Sequence, residues 1–272
     1  MTVYIQNIPV GKEHPLVFFA GPCQLESLDH SRMMAEKIAE AAQKANRPFV
    51  FKGSYDKANR SSHDTQRGLG MEKGLEILHR IGEEFDCPTL TDIHDATQVG
   101  LVSNYVDVLQ IPAFLCRQTD LLQAAARTGK VIHVKKGQFL APWDMKNVAA
   151  KISAEGNDQI LLCDRGTSFG YNTLVSDFRG LPIMAETGYP VVFDATHSVQ
   201  QPGGQGTSSG GQRQFVSALA RAAVAVGVDA VFIETHEDPD NAPSDGPNMV
   251  PLTDFGPLLT TLTKIEDALK DS

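Results

Sequence analysis

The strongest constraint on the fold is an alternation along the whole chain: short apolar, β-branched runs, each closed by polar residues and followed by a helical pattern. The runs fall at Leu16 to Ala20, Phe49 to Phe51, Thr89 to Thr91, Val106 to Ile111, Val131 to Val134, Gln159 to Leu162, Val191 to Phe193 and Ala230 to Ile233. Between them apolar residues recur at three-and-four spacing, as in Met34, Ile38, Ala41 and Ala45. Phe215, Leu219, Ala222 and Val226 form another such face, with Gly227 placed to cap its helix. Eight strand–helix units with strands apolar on both faces point to a parallel sheet closed as a (β/α)8 TIM barrel, a single domain over 1–272. An open doubly wound sheet is the alternative, weakened because no Gly-x-Gly-x-x-Gly follows an early strand. Ahead of the barrel, Val3, Ile5, Ile8 and Val10 with Gly11 behind them predict a short N-terminal hairpin that plugs the barrel's N-terminal end.

The chain of 272 residues, 42% of them hydrophobic, can bury a large core. Its net charge of −9 argues against nucleic acid or an anionic membrane as the main partner. No apolar stretch is long enough to cross a bilayer and no basic leader precedes an apolar run, so a cytoplasmic protein is expected. Cys23, Cys87, Cys116 and Cys163 are widely spaced with no Cys-x-x-Cys, the usage of reduced thiols. The glycine-rich stretch from Gly203 to Gly211 lacks the Gly-Lys-Ser/Thr ending of a P-loop and reads as a mobile active-site loop.

In a barrel the C-terminal strand ends share one face. Here they carry Cys23, Lys52, Asp92 with His94, Gln110, Lys135 with Lys136, Asp164 with Arg165, Asp194 with His197, and Glu234 with His236. Cys23, His197 and Glu234 come from the first, seventh and eighth strands, neighbours once the barrel closes, and Asp245 follows in the next loop. A thiolate, an imidazole and two carboxylates make a divalent metal site, with ligand types that suit Fe2+, Zn2+ or Mn2+. Lys52, Lys57, Lys135 and Arg165 are read as the opposite part of the mouth, a cluster that calls for a ligand bearing both carboxylate and phosphate. Alternation along the strand admits only one of Lys135 and Lys136 to the interior, and Lys136 and Arg117 are candidates to face outward.

Several of these segments, in order, resemble the 3-deoxy-D-manno-octulosonate 8-phosphate (Kdo8P) synthase family. They are Ala20-Gly21-Pro22-Cys23, Phe51-Lys52-Gly53-Ser54-Tyr55-Asp56-Lys57-Ala58-Asn59-Arg60-Ser61-Ser62, Gln110-Ile111-Pro112-Ala113-Phe114-Leu115, Val134-Lys135-Lys136-Gly137-Gln138-Phe139, Cys163-Asp164-Arg165-Gly166 and Asp194-Ala195-Thr196-His197. The resemblance implies condensation of phosphoenolpyruvate with D-arabinose 5-phosphate, in supply of the Kdo sugar of lipopolysaccharide, by a homotetramer. It implies that Lys52, Lys57, Lys135 and Arg165 hold phosphoenolpyruvate and that His197 serves both catalysis and metal binding. It further implies that Asn59, Arg60 and Ser61 take the pentose phosphate, Arg60 and Ser61 on its phosphate, with Gln110, Ala113 and Asp92 also binding substrate.

The resembled family has metal-dependent and metal-independent forms that carry Cys or Asn, respectively, after Gly-Pro. Cys23, with His197, Glu234 and Asp245, resembles the metal-dependent form. The sister family of 3-deoxy-D-arabino-heptulosonate 7-phosphate synthases has Lys-Pro-Arg-Thr where this chain reads Lys57-Ala58-Asn59-Arg60-Ser61, which favours the pentose over erythrose 4-phosphate. A metal-dependent aldolase and a non-catalytic sugar-phosphate sensor are the readings from other classes.

Overall fold

A computed structural model describes residues 1–59, 67–204 and 209–270. Two short strands, β1 (Val3–Ile5) and β2 (Ile8–Val10), pair antiparallel as the expected hairpin, turned by Gln6 at a φ of 52°. Eight parallel strands follow: β3 (Val17–Gly21), β4 (Phe49–Lys52), β5 (Thr89–Asp92), β6 (Val108–Ile111), β7 (Val131–Lys135), β8 (Ile160–Asp164), β9 (Val191–Asp194) and β10 (Ala230–His236). Each pairs with the next, and β10 returns to β3 with Ala230 opposite Val17 and Glu234 opposite Gly21, closing the (β/α)8 barrel.

Helices α1 (Leu28–Ala45), α2 (Met71–Phe85), α3 (Ala96–Val102), α4 (Thr119–Ala126), α5 (Met145–Ser153), α6 (Gly180–Ala185), α7 (Val216–Val226) and α8 (Leu252–Lys270) accompany the strands. Local chemistry sets their ends. The Ser27 hydroxyl accepts the His30 N–H at the start of α1, and Asn46 ends it in the left-handed conformation. Gly227, at a φ of 102°, ends α7 as the sequence predicts.

The period of two along each strand sorts the core into two compartments. Phe18, Phe51, Leu109, Val134, Leu162 and Ile233 belong to the larger core, with the buried helix faces. Val17, Phe19, Val50, Leu90, Val108, Val131, Leu161, Val192 and Phe232 point into the barrel and pack with Val3, Ile5 and Val10 of the hairpin, which is therefore a hydrophobic plug.

One helical face differs from expectation. In α7 the buried residues are Val216, Ala220, Ala223 and Val224, while Phe215 and Val226 lie exposed. This helix is alanine- and valine-rich nearly all round, so two adjacent stripes satisfy the same spacing and periodicity alone does not choose between them. No helix among the described residues is long and apolar enough to cross a membrane.

Candidate active site

All the barrel strands except β6 run one to three residues beyond the ends predicted from sequence, so the functional side chains are strand residues and obey the same period of two. Lys52 lies two residues beyond Val50, Asp92 beyond Leu90, Gln110 beyond Val108 and Asp194 beyond Val192; Lys135 and Glu234 sit likewise above His133 and Phe232. Each is the inward residue one layer above the apolar interior. They open into a cavity of about 710 Å³ at the C-terminal face, also lined by Lys57, Asn59, Ala113, Arg165, His197 and Asp245. Arg60 and Ser61 lie outside the described residues.

Cys23 is buried at the cavity's edge, its Sγ 3.2 Å from Asp245 Oδ2. His197 Nε2 stands 3.5 Å from Glu234 Oε2 and 3.7 Å from Asp245 Oδ2. The other ring nitrogen, Nδ1, donates to Asp194 Oδ2 at 2.7 Å. Asp194 also accepts the His197 N–H at 2.9 Å, and its carboxyl is held well below the usual range, against the upward push of burial, by the charges of His197 and Lys135. An ionised carboxylate only accepts, so Nδ1 keeps its proton; burial opposes the His197 charge, but Asp194 and Glu234 outweigh it and raise its pKa, so a cation at Nε2 would replace the proton held there.

Glu234 Oε2 is buried with no hydrogen-bond partner. Burial, then the charge of Glu234, pushes the Cys23 thiol far up, so an incoming ion must displace its proton. Ligand atoms of Cys23, Glu234 and Asp245 lie within 4.8 Å of one another, and with the His197 imidazole beside both carboxylates this donor set fits a divalent ion.

The cations do not form an opposite wall, as the sequence suggests; they interlock with these donors. Lys52 Nζ donates to Glu234 Oε1 at 2.5 Å and to the carbonyls of Cys23 and Pro22 at 2.8 and 3.3 Å. All three of its N–H groups are used, so Lys52 offers charge rather than a free donor. Lys135 pairs with Asp194, and Lys57 Nζ donates to Ser54 Oγ at 2.9 Å. Burial opposes the Lys57 charge, but the surrounding carboxylates of Glu234, Asp92 and Asp245 outweigh it and raise its pKa. Arg165 Nη2 donates to Gln200 Oε1 at 2.6 Å, and Gln200 Nε2 donates to Asp245 Oδ1 at 2.9 Å, while Arg165 Nε is buried without an acceptor. Internal carboxylates thus balance cations that, in the sequence alone, call for an anionic ligand.

The chain was compared with known proteins. The model of the DAHP synthetase I family matches residues 1–271. The chain belongs to this family. Among its relatives is a Granulibacter bethesdensis protein named 2-dehydro-3-deoxyphosphooctonate aldolase, 62% identical over 97% of this chain and 94% of its own length. Proteins of the same name from Bartonella tribocorum, 59% identical over 98% of this chain and 96% of theirs, and from Brucella ovis, 61% identical over 99% and 97%, are equally similar throughout.

Within this DAHP synthetase I barrel the structure adds residues that the sequence reading did not assign. Asp194, which the sequence places at its strand end without a role, and Gln200 join the cation and donor sets; Asp194 opens the Asp-Ala-Thr-His segment and Gln200 lies three residues beyond it, the one signal that pointed to them. Lys136 leaves the interior, as alternation requires, but does not face solvent as Arg117 does. Its ammonium sits 3.3 Å from Asp164 Oδ1 and donates to the carbonyls of Gly137 and Leu140 at 3.3 and 3.2 Å, tying the loops after β7 and β8 together. Asp92 Oδ2 lies 2.8 Å from His94 Nε2, leaving Oδ1 buried and unpartnered beside the equally unpartnered Gln110 Oε1 in the lining.

Asp245 has a φ of 52°, a left-handed backbone that Asp adopts at modest cost and that favours loops with a task. A Cβ on the following Gly246 would meet the Pro239 carbonyl at 2.2 Å, so only glycine fits there.

Glu26, His30 and His236 form a second group of donors at the rim. His236 Nδ1 accepts the Asp238 N–H at 3.0 Å, so its proton is on Nε2, where it is donated to Glu26 at 2.8 Å. That tautomer presents no lone pair to a metal, and the group is a hydrogen-bonded pair of imidazoles and carboxylates rather than a second metal site.

Proposed function

We propose that this protein condenses phosphoenolpyruvate with D-arabinose 5-phosphate and water to give 3-deoxy-D-manno-octulosonate 8-phosphate and inorganic phosphate. The observation that carries the reading is one cavity lined by Lys52, Lys57, Lys135 and Arg165 interlocked with His197, Glu234 and Asp245. A substrate with a carboxylate and a phosphate on neighbouring carbons matches that cluster, and the name borne by the relatives is that of an octulosonate phosphate enzyme.

Phosphoenolpyruvate is held by Lys57, Lys135 and Arg165, whose cavity-facing donors remain to be filled, within the positive field that Lys52 contributes. Asn59, Arg60 and Ser61 take the pentose phosphate, with Gln110, Ala113 and Asp92 along its chain. The enol C3 attacks the sugar aldehyde, water adds at C2, and the hemiketal phosphate collapses by C–O cleavage. The cations offset charge that moves onto the departing phosphate. Cys23, His197, Glu234 and Asp245 hold a divalent ion of the Fe2+, Zn2+ or Mn2+ kind, which supplies Lewis acidity to orient and polarise oxygen at the reacting centre. Asp194 keeps the proton on His197 Nδ1 throughout. The homotetramer implied by the sequence resemblance is part of this proposal, and so is action in the cytoplasm.

The test is phosphate release from phosphoenolpyruvate with arabinose 5-phosphate, before and after a strong chelator, with erythrose 4-phosphate as control acceptor. Release that requires the pentose and stops on chelation is expected. Release with erythrose 4-phosphate alone, or none with either sugar, overturns the assignment, and release that survives complete metal removal overturns the metal role alone.

A further inference from the structure

Phe232 lies on β10 two residues before Glu234, pointing into the barrel at the floor of the cavity, and is 1% exposed. Lys135 Nζ sits over its ring, 3.3 Å from the centroid, and Lys52 Nζ is 5.8 Å away. The His197 ring lies against the same phenyl at 5.9 Å, tilted by 46°. One layer lower, His133 stacks on it at 5.9 Å and 22°, and Phe19 backs His133 at 5.3 Å. A single ring therefore touches the lysine read as binding the enol substrate and the histidine read as binding metal.

Core packing alone would accept any apolar side chain of similar volume at this position. The arrangement of Lys135 asks for more. Its ammonium has three N–H donors and sits in a nearly dry interior, 4% exposed, yet Asp194 is its one hydrogen-bond acceptor among the described residues. Lys52, by contrast, has three oxygen acceptors. The electron-rich face of Phe232 is a second partner for Lys135, and it leaves the remaining N–H for the cavity that Lys135 lines.

Resting on the proposed reaction for its substrate, we infer that Phe232 is a positioning residue: the negative face of its ring holds the Lys135 ammonium where an anionic substrate meets it. The ring does this without adding a second carboxylate, which would weaken the anion site by its own charge. An aliphatic residue of equal volume would fill the floor but leave one donor of a buried cation unmatched.

The experiment replaces Phe232 with phenylalanine carrying one, two and three ring fluorines, which drain the face of charge while nearly preserving shape. kcat, the KM for phosphoenolpyruvate, bound metal and the unfolding temperature are measured for each. kcat/KM should fall stepwise with fluorination, reaching about tenfold for the trifluoro ring, with metal content unchanged and the unfolding temperature lowered by no more than a few degrees. A flat series, with loss only in Phe232→Leu, would make the ring mere packing and overturn the inference.

A second readout does not depend on the reaction. In protein labelled with 13C-lysine, the ε-methylene protons of Lys135, assigned with Lys135→Arg, should be shifted upfield by the ring and should return in Phe232→Leu. Lys135 signals at ordinary positions would overturn the inference whatever the enzyme does, and absence of turnover with a shifted Lys135 would sink the proposed reaction alone.

Discussion

Asp194→Asn is the most informative single change, because one carboxylate serves both halves of the site. Asp194 accepts from the His197 N–H and Thr196 Oγ1 through one oxygen and from His197 Nδ1 and Lys135 through the other. Asparagine has the same shape, but one side of its amide donates. Turned one way, it sets NH2 against Nδ1–H and the Lys135 ammonium; turned the other, against the backbone N–H and hydroxyl. The His197 ring can relieve the clash by moving its proton to Nε2, the nitrogen that faces Glu234 and Asp245, and it then loses its lone pair for a metal.

Loss of such an orienting partner costs about 10- to 100-fold in metal affinity. Lys135, left buried without its counter-charge, should cost about 3–5 kcal/mol of stability, a drop in Tm on the order of 10 °C. Metal affinity is read by competition with a chromophoric chelator and stability by thermal unfolding of the same preparation. Affinity within twofold of the unaltered protein would refute the tautomer argument, and an unchanged Tm would refute the charge balance.

Other substitutions test other parts of the structure. Cys23→Ala should lose metal and phosphate release together, checked by elemental analysis and the coupled assay; activity retained by the metal-stripped variant would exclude Cys23 as a ligand. The buried His133 is held well below its ordinary pKa of 6.5, first by burial and then by the charge of Lys135. Its folded form resists a proton that the unfolded chain accepts, so the stability it confers is present above pH 6.5 and is lost as pH falls below it, on the order of 1 kcal/mol per pH unit. In urea titrations that increment should vanish for His133→Phe, and an equal pH slope in both proteins would disprove it. A Cβ at Gly211 would lie 1.6 Å from Asn248 Oδ1, so Gly211→Ala should lower stability by about 1–3 kcal/mol and weaken metal binding by disturbing the loop that carries Asp245, measured by the same two assays.

The barrel and most of the cavity's residues are legible in the sequence because both depend on local periodicity. Apolar strand runs mark the interior, and the polar residue closing each run inherits the inward direction. Lys52, Asp92, Gln110, Lys135 and Glu234 follow from that rule. Partnership does not. The Lys52–Glu234 pair joins residues 182 positions apart, and Gln200 reaches Asp245 across 45, so no spacing announces them. Phe232 reads as one more apolar strand residue, since its use by Lys135 depends on which ring lies beneath which ammonium. The buried face of α7 is hidden for the opposite reason: too many positions there are apolar for a period to distinguish them.

The interlocked charges also bear on how such a site can change over generations. Removing Glu234 takes the counter-charge from the Lys52 ammonium, and removing His197 deprives Asp194 of a charged donor, so either step carries a stability cost that a second change would have to offset. Cys23 differs. Its thiol is held neutral by burial and forms no salt bridge among the described residues, so exchanging this proposed ligand leaves no buried charge behind. On the proposed metal site, the position after Gly-Pro is therefore where ion use would be lost at least cost, and it is the position at which the sequence resemblance implies that the family's two forms differ.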